Sequence, residues 1–262
     1  MRKRGFLTLL AASAAAASAA GVVAAGAARS PRAPVRVAAA SDLKFALAEL
    51  AEQYRRQSGQ SVELNLGSSG QFAQQIRQGL PVDLYLSAEE DFVFQLFAAG
   101  LVQGRGALYA LGRIAALVPA GSTVPLDARL SGLRESWAQV KHFAIANPQH
   151  APYGRAARQA LERLGLWEMA RAKLVLGENI AQATQFVTSG AAQAGITALS
   201  LALAPEVGRL ARHLVLPAHL HEPLRQRMVL LNGARPGAEN FYSFLQGPAA
   251  RQVFERFGFA AG

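Results

Sequence analysis

Short strand-forming segments alternate with helix-period segments twice over in this chain, and that alternation most narrows the folds open to it. Val35-Arg36-Val37-Ala38-Ala39-Ala40 reads as a strand, after which Ser41-Asp42 opens a stretch with Leu43, Ala46, Leu47, Leu50, Ala51 and Tyr54 at helical spacing. The unit repeats at once. Residues 62–66 alternate as a strand, Gly67-Ser68-Ser69-Gly70 is a turn, and residues 71–78 form a helix with Phe72, Ile76 and Leu80 inward. A third strand at 82–87 precedes a helix at about 89–99. Strands that alternate with helices predict a parallel sheet with crossover connections.

After Gly112 the pattern starts again. A hydrophobic run at 114–118 leads to a strand at 143–146, a loop at 147–154 and a helix at 155–164. A strand at 174–176, a helix at 180–189 and a buried strand at 195–199 follow. The chain continues through 214–216 to 228–231 and closes with helices at 239–246 and 248–257. Two such α/β units place several helix N-termini at one cleft, at the carboxyl ends of the strands. Free N–H groups and a partial positive charge make such termini anion sites without Lys or Arg.

The first residues read differently. Arg2, Lys3 and Arg4 precede an apolar, Ala-rich stretch over residues 6–28 that ends in small residues, the pattern of an export signal removed from the mature protein. Lys3-Arg4-Gly5-Phe6-Leu7 looks like a twin-arginine signal with Lys in place of the first Arg. Cleavage after residue 28 leaves 262 − 28 = 234 residues, enough for two lobes that each bury a core. It also lowers the net charge from +10 to +7, because three basic residues and no acidic ones leave. The remaining Arg residues are scattered and lack interleaved aromatics, which argues against nucleic acid and for a solvated basic surface. With no cysteine, thiol catalysis, cysteine metal sites and disulfides are excluded.

Other chemistry is sparse. His219-Leu220-His221-Glu222, with His213 nearby, matches no closed zinc signature and reads as a solvated loop. His150 reads as a residue that holds its loop in place. No nucleophile with its base, no paired carboxylates and no phosphate loop stand at specific spacing, so no catalytic residues and no cofactor are expected.

Five segments, in order, carry a resemblance: Ala38-Ala39-Ala40-Ser41, Gly67-Ser68-Ser69-Gly70, residues 81–88 (Pro-Val-Asp-Leu-Tyr-Leu-Ser-Ala), residues 147–154 (Asn-Pro-Gln-His-Ala-Pro-Tyr-Gly) and residues 173–179 (Lys-Leu-Val-Leu-Gly-Glu-Asn). They resemble the molybdate-binding proteins that serve an ABC importer, over about residues 35–259. The resemblance implies an α/β, two-lobed periplasmic-binding-protein-like fold of type II, its lobes joined by two crossover strands. Residues 34–112 plus 228–262 would form one lobe and 113–227 the other. It further implies a periplasmic monomer that captures molybdate or tungstate and delivers it to a membrane permease. Carried over by position, the ligand set falls on Ser41 and Ser69 through their hydroxyls, Ile180 through its amide, and Ala40 and Tyr153. Many members have a ligand tyrosine where this chain has Ala198, so the Tyr153 phenol is expected to take over that contact, its backbone amide being the other possibility. The alternatives are a protein for another tetrahedral oxyanion such as sulfate, or an enzyme or sensor domain on the same fold.

Overall fold

The computed structural model describes residues 33–262, so the expected signal at 1–28 lies outside the described residues. Ten strands form two five-stranded sheets. The first contains β1 (Val35–Ala40), β2 (Val62–Gly67), β3 (Leu84–Ser87), β4 (Ala107–Gly112) and β10 (Leu224–Leu230), in the order β2-β1-β3-β10-β4. The second contains β5 (Ile114–Pro119), β6 (Phe143–Ala146), β7 (Leu174–Gly177), β8 (Ala194–Ala198) and β9 (Ala211–Val215), in the order β7-β6-β8-β5-β9. Helices α1 (Lys44–Ser58), α2 (Ser69–Arg77), α3 (Glu90–Ala98), α10 (Ala238–Leu245) and α11 (Pro248–Arg256) flank the first sheet; α4 (Ser131–Glu135), α5 (Pro152–Arg163), α6 (Trp167–Arg171), α7 (Ile180–Thr188), α8 (Leu199–Ala202) and α9 (Pro205–Gly208) belong to the second. This is the two-lobed α/β arrangement of type II, and it agrees with the architecture expected from sequence.

Neither sheet is purely parallel, however. β1, β2 and β3 pair in parallel, whereas β10 runs antiparallel to both β3 and β4. In the second sheet β6, β7 and β8 are parallel and β5 is antiparallel to β8 and β9. The antiparallel members are the strands next to the connections between sheets. β4 ends at Gly112 and β5 begins at Ile114, so the chain passes from one sheet to the other at Arg113; it returns between β9 and β10. Alternation of side chains decides the cores. On β1, Val37 and Ala39 face α1, α10 and α11, packing with Leu47, Phe241 and Phe254, while Ala38 faces Phe72, Ile76 and Val93 of α2 and α3. On β5, Ile114, Ala116 and Val118 face one cluster and Ala115 and Leu117 the other. Apolar residues on both faces explain why these strands read as continuous hydrophobic runs.

Two helices begin earlier than periodicity suggests. α2 takes up Ser69 and Gly70, which a Gly-Ser-Ser-Gly turn would leave outside, and α5 starts at Pro152. Proline suits the first helical position because its missing N–H has no partner there in any case. Gly70 is required by close approach: a Cβ would stand 2.6 Å from the carbonyl oxygen of His150.

Asp83, just before β3, ties the first sheet together. It accepts hydrogen bonds from the N–H of Arg36 (2.7 Å) and of Arg235 (3.0 Å) and an ion pair from the Arg235 guanidinium (2.7 Å). Burial alone would raise this carboxyl, but those bonds outweigh it and hold it below the usual carboxylate range. Its contribution to stability is therefore present at neutral pH and lost as pH falls through that lowered value. Asp83→Ala is expected to cost about 3 kcal/mol at pH 7 in urea denaturation, the low end for a broken buried pair because Arg235 remains partly exposed. A change under 1 kcal/mol would show that the pair stabilises nothing.

Candidate anion-binding site

Five elements converge where the two sheets face each other. Ala40, Ser41 and Asp42 at and just after the end of β1, Gly67, Ser68 and Ser69 between β2 and the start of α2, Ala88 just after β3, Ala151, Pro152 and Tyr153 at the start of α5, and Ile180 at the start of α7 line a small cavity. All five ligand residues expected from sequence, Ala40, Ser41, Ser69, Tyr153 and Ile180, line it. No Lys or Arg does. A wider groove between α1, α7 and α9 shares Ser41 but is lined mainly by long side chains such as Lys44, Gln182 and Gln185.

The hydrogen bonds show what the cavity can offer. Ser41 Oγ accepts from the N–H of Ala181 (3.2 Å), and Ser69 Oγ accepts from the N–H of Ala88 (3.0 Å). Neither serine caps its own helix, so simple N-capping does not account for either. A hydroxyl that accepts from an amide retains its own hydrogen to donate. Tyr85 donates to the Ser69 carbonyl (2.7 Å) and holds that serine in place.

Backbone N–H groups supply the rest. At α7, Asn179 Oδ1 accepts from Gln182 (3.1 Å) and Ser41 from Ala181, which leaves the N–H of Ile180, the first helical residue. At α5, Pro152 has no N–H, and the N–H groups of Gly154 and Arg155 go to the Ala151 carbonyl (2.9 and 3.1 Å). The Tyr153 N–H remains. These termini carry the partial positive charge that favours an anion.

The walls are pinned across the cleft. The His150 carbonyl accepts from Ser68 Oγ (2.7 Å) and from the Gly70 N–H (3.0 Å), and Gln71 donates to Glu178 (2.8 Å). His150 Nδ1 lies 2.9 Å from Ser68 Oγ. Since the one serine hydrogen goes to the carbonyl, Nδ1 carries the ring hydrogen on that side. Arg155 pairs with Glu89 over the same boundary. Ala198 is buried at the end of β8 and is not on the cavity wall, while His221 turns its Nδ1 to the Glu222 carbonyl (2.7 Å).

One wall residue was not singled out by sequence reasoning. Asp42 is 1% exposed, and its Oδ2 accepts from the Tyr153 hydroxyl (2.9 Å) and from Gln226 Nε2 (2.6 Å). The phenol hydrogen expected to face the ligand is therefore directed to Asp42. Gln226 also donates to Tyr153 (3.0 Å) and accepts from Tyr109 (2.7 Å), linking β1, α5, β10 and β4. Gly112 makes room for this: a Cβ there would stand 2.4 Å from the Tyr153 hydroxyl oxygen. Burial pushes the Asp42 carboxyl up to about 6, although the bonds from Gln226 and Tyr153, and the backbone N–H groups of Asp42 and Leu43, favour the charged form. The only sequence signal was an acid directly after a serine at a strand-to-helix junction, which also fits an exposed first turn.

Comparison with known proteins follows the same line. A family model described as bacterial extracellular solute-binding protein matches residues 35–260. The molybdate-binding protein ModA of Azotobacter vinelandii is 34% identical over 87% of this chain and 90% of its own length. The molybdate-binding protein ModA of Rhodobacter capsulatus is 32% identical over 80% and 82%. Among solved structures, the periplasmic molybdate-binding protein of Azotobacter vinelandii superposes with a TM-score of 0.80 at 30% identity, covering 87% of this chain and 99% of that one.

Asp42 has a measurable effect on folding. Its folded-state value lies above the ordinary one, so as pH rises the unfolded chain releases this proton first and the folded state loses stability between about pH 4 and pH 6. The unfolding free energy of Asp42→Asn relative to wild type is expected to improve by about 3 kcal/mol from pH 4 to pH 7. Urea denaturation at both pH values measures it, and a constant difference would contradict a buried, titrating carboxyl.

Proposed function

The chain belongs to the bacterial extracellular solute-binding proteins, and on that premise we propose that it captures molybdate or tungstate in the periplasm and delivers it to the permease of an ABC importer. The observation that carries this reading is the small cavity where the Ser41 and Ser69 hydroxyls and the starts of α5 and α7 come together, free of Lys and Arg. Identity to molybdate-binding relatives across most of the chain supports the same ligand. Fixed neutral dipoles suit a tetrahedral dianion that sheds its water on entry, since each ligand oxygen then exchanges a water hydrogen bond for a protein one.

In this reading Ser41 and Ser69 donate through their hydroxyls, and Ile180 and Tyr153 through their N–H groups, while Ala40 closes the wall beside Ser41. The lobes, taken as 34–112 plus 228–262 and 113–227, close about their two connections. The protein acts as a monomer without catalytic residues or cofactor and without a nucleic-acid partner.

Calorimetric titration of the mature chain against molybdate, tungstate, sulfate and phosphate tests the assignment. Molybdate and tungstate are expected to bind far more tightly than the smaller sulfate, which cannot reach every donor and leaves some unpaired. Equal affinity for sulfate would replace the molybdate reading with that of a general oxyanion carrier.

Ser41→Ala and Ser69→Ala are each expected to weaken molybdate binding by about 1.5–3 kcal/mol, roughly ten- to hundredfold. Each variant also leaves a backbone N–H, that of Ala181 or Ala88, without its acceptor, so a modest fall in melting temperature accompanies the loss of affinity. Wild-type affinity in both variants would remove the hydroxyls from the ligand set.

A further inference from the structure

Asp42 is an unexpected group to find beside an anion. It lies on the cavity wall, 1% exposed, and its Oδ1 is buried without a hydrogen-bond partner. Its Oδ2 is already committed to Tyr153 and Gln226. The surroundings supply no counter-charge. On α5 and β4 the titratable neighbours are Tyr153 and Tyr109, both held neutral, well above the ordinary tyrosine range, by burial and by the nearby carboxyl. Gln226 on β10 is uncharged, and α7 and α8 contain no ionisable side chain. On α1, Lys44 is exposed with its ammonium over the Phe45 ring, and on β2 Glu63 is exposed.

We propose that the Asp42 carboxyl carries a proton whenever a dianion occupies the cavity, so that capture of the ion takes up one proton from solution and release returns it. The proposal rests on the reading of this cavity as an oxyanion site. A carboxylate oxygen with no partner and no cation nearby would repel a doubly charged neighbour strongly in so dry a setting. Protonation removes that charge and turns the carboxyl from an acceptor into a donor, the same kind of group as the other walls present. The carboxyl is already pushed up to about 6 before any ligand charge is added. An occupying dianion raises it further, because a like charge favours the neutral form. Asp42 is thereby a specificity-determining residue: it admits a dianion only together with a proton.

Calorimetry of the mature protein with molybdate, in buffers of differing ionisation enthalpy at pH 8, reads the proton directly. Uptake of about one proton per ion is expected, with affinity falling about tenfold per pH unit between pH 7 and pH 8.5. Infrared difference spectra should show a protonated-carboxyl C=O band that appears on binding and is missing in Asp42→Asn. That variant should bind with an affinity that no longer varies with pH. Tyr153→Phe, which removes a bond favouring the carboxylate, should move the pH dependence upward. Tight molybdate binding by the wild type with no proton uptake overturns the proposal and leaves the transport reading intact. Uptake without the carboxyl band also overturns it, by placing the proton on the ion. Proton-linked binding of sulfate but not molybdate upholds the proposal while replacing the molybdate assignment. Failure to bind any of the four oxyanions overturns both.

Discussion

The first N–H groups of a helix have no carbonyl one turn back to receive them, and the cavity depends on how this chain disposes of those groups. Three helices and one 3-10 turn point their starts at a single place. Some of the orphaned donors are met internally: Asn179 takes Gln182, the Ala151 carbonyl takes Gly154 and Arg155, and Ser41 takes Ala181. The remainder, Ile180 and Tyr153 at the backbone and the two serine hydroxyls, face a common space. In the proposed reading an acceptor-rich ion completes the set. Selectivity in such a cage comes from geometry, because a neutral donor gains little from an ion it cannot reach.

Much of this could be read before any coordinates. The alternation of strand and helix segments led to two α/β lobes, and the family resemblance named Ala40, Ser41, Ser69, Tyr153 and Ile180, which line one cavity. What escaped reading was long-range. β10 runs antiparallel between β3 and β4, and nothing local to residues 224–230 says so, because the pairing partners lie over a hundred residues away. The early start of α2 was hidden by Gly70, whose helix-weakening tendency is overruled by the need to lie against the His150 carbonyl. Asp42 was hidden for a related reason. An acid in a first turn usually faces water, and only the arrival of Tyr153 and Gln226 from 111 and 184 residues away reveals it as buried. The same partner redirects the Tyr153 hydroxyl, whose hydrogen the family resemblance directed to the ligand, the backbone amide being the other possibility.

Two networks divide the labour. Asp83, with Arg36 and Arg235, stabilises the first sheet through charge that is fully paired. Asp42 is left half paired, with one oxygen bonded twice and the other not at all. A protein tolerates such an imbalance in a buried group at a cost in stability, and the cost falls beside the cavity rather than within the sheets.

The passage at Arg113 and the return between β9 and β10 are the two places where the chain joins one sheet to the other. A body attached to another at two points can turn only about the line through them. Two connections therefore favour rotation about that line over other relative movements of the lobes. In the proposed reading, closure about those connections returns the donors of both walls to one cage on each cycle of uptake and release.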